Sequence, residues 1–232
     1  MSLFPELVQR KETRHFKYYC SQEDSICLDR ISNALESNYH RILNDLSMTL
    51  NEKVEIKIYP SIKIFHKEVL GAADFPEWLV GTAKSGMISV VSPLNSGPAH
   101  DYESILKTVV HEFIHVLVKR INPGRIHRYL NEGIALFEAE QMDKRKRDMV
   151  ADVLLNENIP TIDELESDFV NRGGYYLAYT IVEYIVAHYG FGKLVGLVRN
   201  PLAFQRVFGI TKEEFERSWV EFLEKHYSTT RR

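Results

Sequence analysis

Val54-Glu55-Ile56-Lys57-Ile58-Tyr59 alternates apolar and polar positions without a break and stops at Pro60, the pattern of a half-buried strand. His15-Phe16-Lys17-Tyr18-Tyr19 is a second, aromatic-rich strand candidate, and Gly86-Met87-Ile88-Ser89-Val90-Val91, closed by Ser92-Pro93, is a third. Between the first two strands in the chain, Ile26, Ile31, Leu35, Tyr39, Ile42, Leu43 and Leu46 recur at helical spacing and predict a long amphipathic helix over residues 25–48. A short helix is expected at 62–70. Past Asp101 the character changes. Residues 105–118 are apolar on nearly every side, as in a helix through the middle of a core. Pro123-Gly124 breaks that helix, and helical patterns then run through about 128–156, 162–167, 175–189 and 211–227. Strands in the first half and helices in the second predict an α+β fold.

At 232 residues the chain fits one large domain or two small lobes. The pattern divides it into a strand-and-helix lobe over 1–120 and a helical lobe over 121–232, together forming one catalytic domain. Hydrophobic residues at 44% and charged residues at 26% exclude a wholly disordered chain. A net charge of −3 argues against a nucleic-acid binder, and the basic run Lys144-Arg145-Lys146-Arg147, flanked by acids, reads as a solvated helix face. Cys20 and Cys27 are too few for a disulfide framework or a cysteine zinc cluster and read as two reduced, partly buried thiols, with a single bridge across the short loop as the alternative. With no run of about 18 apolar residues and no apolar signal core near the N-terminus, no membrane span is expected and the location expected is cytoplasmic. The oligomeric state is left open.

The chemistry concentrates in His111-Glu112-Phe113-Ile114-His115, an H-E-x-x-H within the most apolar helical stretch. Residues four apart lie about 40° apart around a helix, so both imidazoles reach one ion. Glu112 projects beside them, where it can take a proton from a metal-activated water. Ser104 and Thr108 lie on the same stripe and are small, leaving room above the histidines. Two imidazoles in an otherwise apolar helix need polar partners, and a metal supplies one. Zinc requires a third protein ligand, which Asn131-Glu132-Gly133-Ile134-Ala135 offers as Glu132, past the turn and with sixteen residues between it and His115. The small residues Gly133, Ala135 and Ala139 are expected to let this helix approach the histidine helix closely.

H-E-x-x-H followed by N-E-G-I-A resembles the gluzincin metallopeptidases, zincins whose third ligand is a glutamate, and the chain is most similar to the compact proteins called peptidase MA-like. The resemblance implies a zincin-like fold: a small mixed sheet with the active-site helix in the N-terminal lobe, and a helical C-terminal lobe. It also implies one Zn²⁺ on His111, His115 and Glu132, with Glu112 as general base and a peptide or protein as substrate. Tyr175-Tyr176-Leu177-Ala178-Tyr179, opening a helix that ends at Tyr189-Gly190, resembles the tyrosine-bearing helix of the aminopeptidase N branch, where a tyrosine stabilises the oxyanion. Counting back from Gly190 places Tyr175 in that role, with Tyr176 and Tyr179 as rivals. In zincins an edge strand binds substrate backbone, and by resemblance Ser85, Gly86, Met87 and Ile88 would do so here.

Two departures bear on the activity. The spacing from His115 to Glu132 is a few residues shorter than in the aminopeptidase and thermolysin branches, which calls only for a tighter connection. The aminopeptidases also carry G-x-M-E-N upstream, whose glutamate holds a free substrate amine. Here Gly86-Met87-Ile88-Ser89 has no acid. Aminopeptidase action loses support, and endopeptidase or carboxyl-side cleavage gains it. The reading is therefore a zinc metallopeptidase, a hydrolase more endopeptidase than aminopeptidase. Two alternatives remain open: a zinc hydrolase of a non-peptide amide, ester or epoxide, or a metallated, non-catalytic peptide-binding or regulatory module. His100, His127, His188 and His226 default to structural or surface roles.

Overall fold

The computed structural model describes residues 6–72, 75–156 and 158–228. Its architecture is mixed α+β, with a five-stranded sheet in the order β1-β2-β3-β5-β4. The strands are β1 (Val8–Glu12), β2 (Phe16–Cys20), β3 (Val54–Tyr59), β4 (Gly81–Lys84) and β5 (Met87–Val91). The three inner strands run parallel to one another, and the two outer strands run antiparallel to their neighbours. Chain contacts divide the protein into two compact units, Met1–Asn44 with Met48–Leu117, and Asp45–Ser47 with Val118–Arg232.

In the first unit, burial follows the sequence pattern. Val54, Ile56 and Ile58 of β3 are buried while Glu55, Lys57 and Tyr59 are half-exposed, and Phe16, Tyr18 and Cys20 of β2 repeat the alternation. In β5, Ile88 to Val91 are all buried, as in an inner strand covered on both faces. Two helices pack on the face that carries Phe16. Helix α1 (Leu28–Asp45) turns Leu28, Ile31, Leu35, Tyr39, Ile42 and Leu43 inward. Helix α3 (Tyr102–Ile121) brings Phe113 against Phe16 at 5.2 Å between ring centroids and parallel to Tyr39 at 5.8 Å. Cys20 and Cys27 are both free and buried, and burial pushes their thiols up to about 11 and about 12. Between β3 and β4 lies a single turn, α2 (Ile62–Phe65), which widens into a π turn at His66–Leu70.

Helix α3 starts where Asp101 makes it start. The Asp101 carboxylate accepts from the backbone N–H of Ser104 at 2.8 Å, and the Ser104 hydroxyl accepts from the Asp101 N–H at 3.0 Å. Ser104 thus caps the helix rather than simply leaving room on it. Its hydroxyl also meets His100 Nδ1 at 3.2 Å, while His100 Nε2 lies 2.9 Å from the Trp78 carbonyl, which gives that histidine a structural role.

Both outer strands escape the sequence pattern. β1 is polar after Val8, and Gly81-Thr82-Ala83-Lys84 offers no alternation to detect. The edge strand expected at Ser85 to Ile88 is accordingly displaced. Ser85 and Gly86, with φ of 54° and 78°, form the two-residue turn of a hairpin, and Met87 and Ile88 open the inner strand β5. Among the described residues β4, paired with β5, forms one edge of the sheet and β1 forms the other.

The second unit is helical: α4 (Arg128–Glu138), α5 (Lys144–Leu155), α6 (Ile162–Ser167), α7 (Gly174–Arg199), α8 (Phe204–Phe208) and α9 (Lys212–Tyr227). The pattern expected as one helix over 128–156 is broken. Glu140 takes a left-handed conformation, Gln141 N–H closes α4 on the Leu136 carbonyl, and Asp143 caps α5 through the Lys146 N–H. Helix α7 continues past the expected stop, bending at Gly190 (φ 76°) and running on to Arg199. Its length and composition would suffice to cross a membrane, but Leu177, Ala178, Ile181, Val182 and Ile185 are buried in the unit.

Helices α4 and α7 meet at Gly133. A Cβ there would lie 2.4 Å from the Ala178 carbonyl oxygen and 2.8 Å from Val182 Cγ2. The small residue beside Glu132 therefore serves the approach of α7 within this unit. The obstacle includes backbone, which cannot rotate away. Gly133→Ala is expected to destabilise the protein by about 1–3 kcal/mol through overpacking, read as a lower urea midpoint at unchanged slope. An unchanged midpoint would show that the two helices separate without cost.

Candidate metal centre

The α3 segment that carries the H-E-x-x-H is apolar because it lies in the core, with Val109, Phe113, Ile114 and Leu117 wholly buried. On that scaffold His111 and His115 project from one face, their rings edge-to-face with centroids 4.6 Å apart. Glu132 lies in the second turn of α4. One ligand atom from each of His111, His115 and Glu132 lies within 4.8 Å of the others. Two imidazoles and a carboxylate at this separation form a donor set suited to zinc, whose catalytic sites take three protein ligands and leave a position open. The residues present fit the group that the sequence implies.

Glu112 is 93% buried, with 7% of its surface exposed. Its surroundings are set by the sheet edge. A Cβ on Gly81, the first residue of β4, would lie 2.8 Å from Thr108 Cγ2, 3.0 Å from Glu112 Oε1 and 3.1 Å from Glu112 Cγ. Thr108 turns its hydroxyl back to the Ser104 carbonyl at 2.9 Å, leaving the methyl toward the strand. The absence of a side chain at Gly81 is thus what lets β4 lie against the glutamate. Neither Gly81 nor β4 stood out in the sequence, since a lone glycine beside a weak strand pattern carries little signal.

The first turn of α4 is anchored by a residue from α6. Glu166 accepts from the backbone N–H of Arg128 at 2.9 Å and of Tyr129 at 3.2 Å, two donors that open a helix without an intrahelical partner. His127 Nδ1 stands 3.6 Å from the same carboxylate, so this histidine belongs to the capping arrangement.

Tyr175 is the second residue of α7. The two glycines before it make its placement possible: Gly173 has a φ of 73°, and a Cβ on Gly174 would lie 2.4 Å from the Phe169 carbonyl oxygen. The Tyr175 phenol oxygen accepts from Arg128 Nη2 at 3.2 Å. Burial and the neighbouring Glu132 charge hold the phenol above its ordinary range, partly opposed by Arg128, so it remains protonated and able to donate. The rivals look elsewhere. Tyr176 folds back over Gly173 and feels Asp152, while Tyr179 packs on Phe137 at 5.5 Å and responds to Glu183. Of the three tyrosines, Tyr175 is the one on which the Glu132 charge bears. Ser85, Gly86, Met87 and Ile88 lie in the hairpin beside β4, with Ile88 fully buried. Arg128, which touches Tyr175 one turn before Glu132, carried no motif signal and went unnoticed in the sequence.

No curated protein matches the chain. The family model described as the Peptidase MA superfamily matches residues 36–225, a span that includes His111, Glu112, His115, Glu132 and Tyr175. With a match over most of its length, the chain belongs to the peptidase MA superfamily.

Proposed function

We propose that this chain is a zinc-dependent metallopeptidase of the gluzincin type that cleaves peptide bonds within or near the carboxyl end of its substrates. The observation that carries the reading is the convergence of His111, His115 and Glu132 beside the buried Glu112. A zinc ion held by those three residues would supply a Lewis acid that acidifies water and polarises a carbonyl.

The remaining work falls to side chains. Glu112 accepts a proton from the attacking water as the water oxygen bonds to the scissile carbonyl carbon. It then delivers that proton to the amide nitrogen as the C–N bond breaks, so the amine leaves neutral and the carboxylate is restored. Tyr175 donates its phenol hydrogen to the carbonyl oxygen as that oxygen gains negative charge. Burial helps both residues, because water around them would weaken each of these interactions. An extended substrate adds to the free edge of β4 by main-chain hydrogen bonding, which brings its backbone past Gly81 and so past Glu112. Gly86-Met87-Ile88-Ser89 offers no acid to hold a free amine. A glutamate in the general-base position supports catalysis over a purely structural zinc site, which has no use for a base there.

Purified chain analysed by inductively coupled plasma mass spectrometry is expected to hold about one zinc, lost in His115→Ala and Glu132→Ala. A wild-type chain that stays metal-free in added zinc would overturn the assignment. Glu112→Gln is expected to keep its zinc while turnover in a peptide-library digest falls by at least about 10²-fold. Full turnover in that variant would remove Glu112 as the base. Tyr175→Phe is expected to lower kcat by about 10²-fold with little change in KM. Gly81→Ala, whose Cβ would push on Glu112 Oε1, should retain zinc and lose kcat. Wild-type kcat in Gly81→Ala would show that the contact leaves the base undisturbed.

A further inference from the structure

Arg128 is an exposed cation one helical turn before Glu132, and its setting differs from that of a solvated surface arginine. The guanidinium lies over the Phe169 ring at 4.5 Å, and Nη2 donates to the Tyr175 phenol oxygen at 3.2 Å. These two contacts fix the plane and one edge of the group. Arg128 and Glu132 are four residues apart, and so lie on one face of α4.

The carboxylate that meets the Arg128 backbone does not pair with its side chain. Glu166 directs both oxygens at the backbone N–H groups of Arg128 and Tyr129, and among the described residues no carboxylate forms an ion pair with the Arg128 side chain. Arginine presents five donors and no acceptor. With one donor on Tyr175, the fork keeps the paired N–H geometry that a carboxylate fits in bidentate fashion.

We infer that Arg128 is a substrate-specificity residue that binds a carboxylate of the peptide, a site resting on the peptidase reading above. Its position one helical turn from Glu132 puts the anchored group within a few residues of the bond that is cut. The carboxylate comes either from the substrate's C-terminus or from an acidic side chain. The phenol that Arg128 touches is the proposed oxyanion donor, so the anchor and the reacting carbonyl share one support. Phe169 contributes by holding the guanidinium flat, which lowers the ordering cost of each hydrogen bond.

The test uses internally quenched peptides in matched forms, with a free carboxylate or a carboxamide at the C-terminus, and Glu or Gln at each position in turn. Zinc-loaded wild type, Arg128→Met, Arg128→Lys and Arg128→Glu are compared by kcat/KM. The same peptides are titrated by fluorescence anisotropy onto the zinc-loaded, full-length Glu112→Gln, with and without Arg128→Met. Wild type is expected to favour the acidic form about ten-fold or more in at least one pair. Arg128→Met should bring that ratio to about one, Arg128→Lys should keep part of it, and Arg128→Glu should turn it toward a lysine-bearing peptide. A preference in the terminal pair assigns the α-carboxylate, and one confined to a Glu/Gln pair assigns a side chain. The ratio, unlike either rate alone, is not moved by a general loss of Tyr175 support. Acid-selective binding that Arg128→Met abolishes, with no cleavage by the wild type, keeps this site and removes the peptidase reading. A ratio near one in both cleavage and binding, or one that Arg128→Met leaves unchanged, overturns the inference.

Discussion

The helical unit depends on the contact between Gly133 and the backbone of α7. At that crossing two helices are closer than any side chain permits, and the position of α4 follows from it. Glu132 precedes the contact residue, Arg128 lies one turn earlier, and Tyr175 and Ala178 occupy a single turn of α7. Three chemically distinct groups are therefore indexed to one backbone approach. Glu166 fixes the other end of α4, so the helix cannot slide along its axis without giving up two charge-assisted hydrogen bonds.

A second close approach governs the sheet-bearing unit. There β4 rests against Thr108 and Glu112 through Gly81, and the strand is tied to β5 by the two-residue turn at Ser85 and Gly86. In both units a glycine lies within one residue of a chemically active side chain or directly against it. Small residues in these places let backbone lie directly against the elements that carry Glu112 and Glu132.

The parts legible in the sequence were those with a strong local cause. The alternation of β3 reappears residue by residue, because one face is buried and the other is not. The H-E-x-x-H was legible because helical geometry alone brings the residues at positions one and five together. The third ligand depended on a motif, and Tyr175 on a likeness, since neither periodicity nor spacing distinguishes it from Tyr176 and Tyr179. The edge strand was misplaced by one strand because β4 is short, polar and marked by a glycine, whereas the apolar run beside it belongs to the inner strand. The break between α4 and α5 was invisible for a related reason: Glu140 adopts a left-handed backbone without being a glycine or asparagine. Arg128 acquires meaning only from Phe169 and Tyr175, residues more than forty positions away.

The two buried cysteines have a bearing on metal choice. Cys20 and Cys27 are the chain's only thiols, and thiolate is the softest zinc ligand a protein can offer. Burial pushes their ionisation up to about 11 and about 12, which keeps both as neutral thiols near pH 7. Folding buries both sulfurs, so a metal ion that reached the folded chain would meet nitrogen and oxygen donors first. Unfolding reverses that order, since exposed thiols would capture the ion and oppose refolding around the histidines.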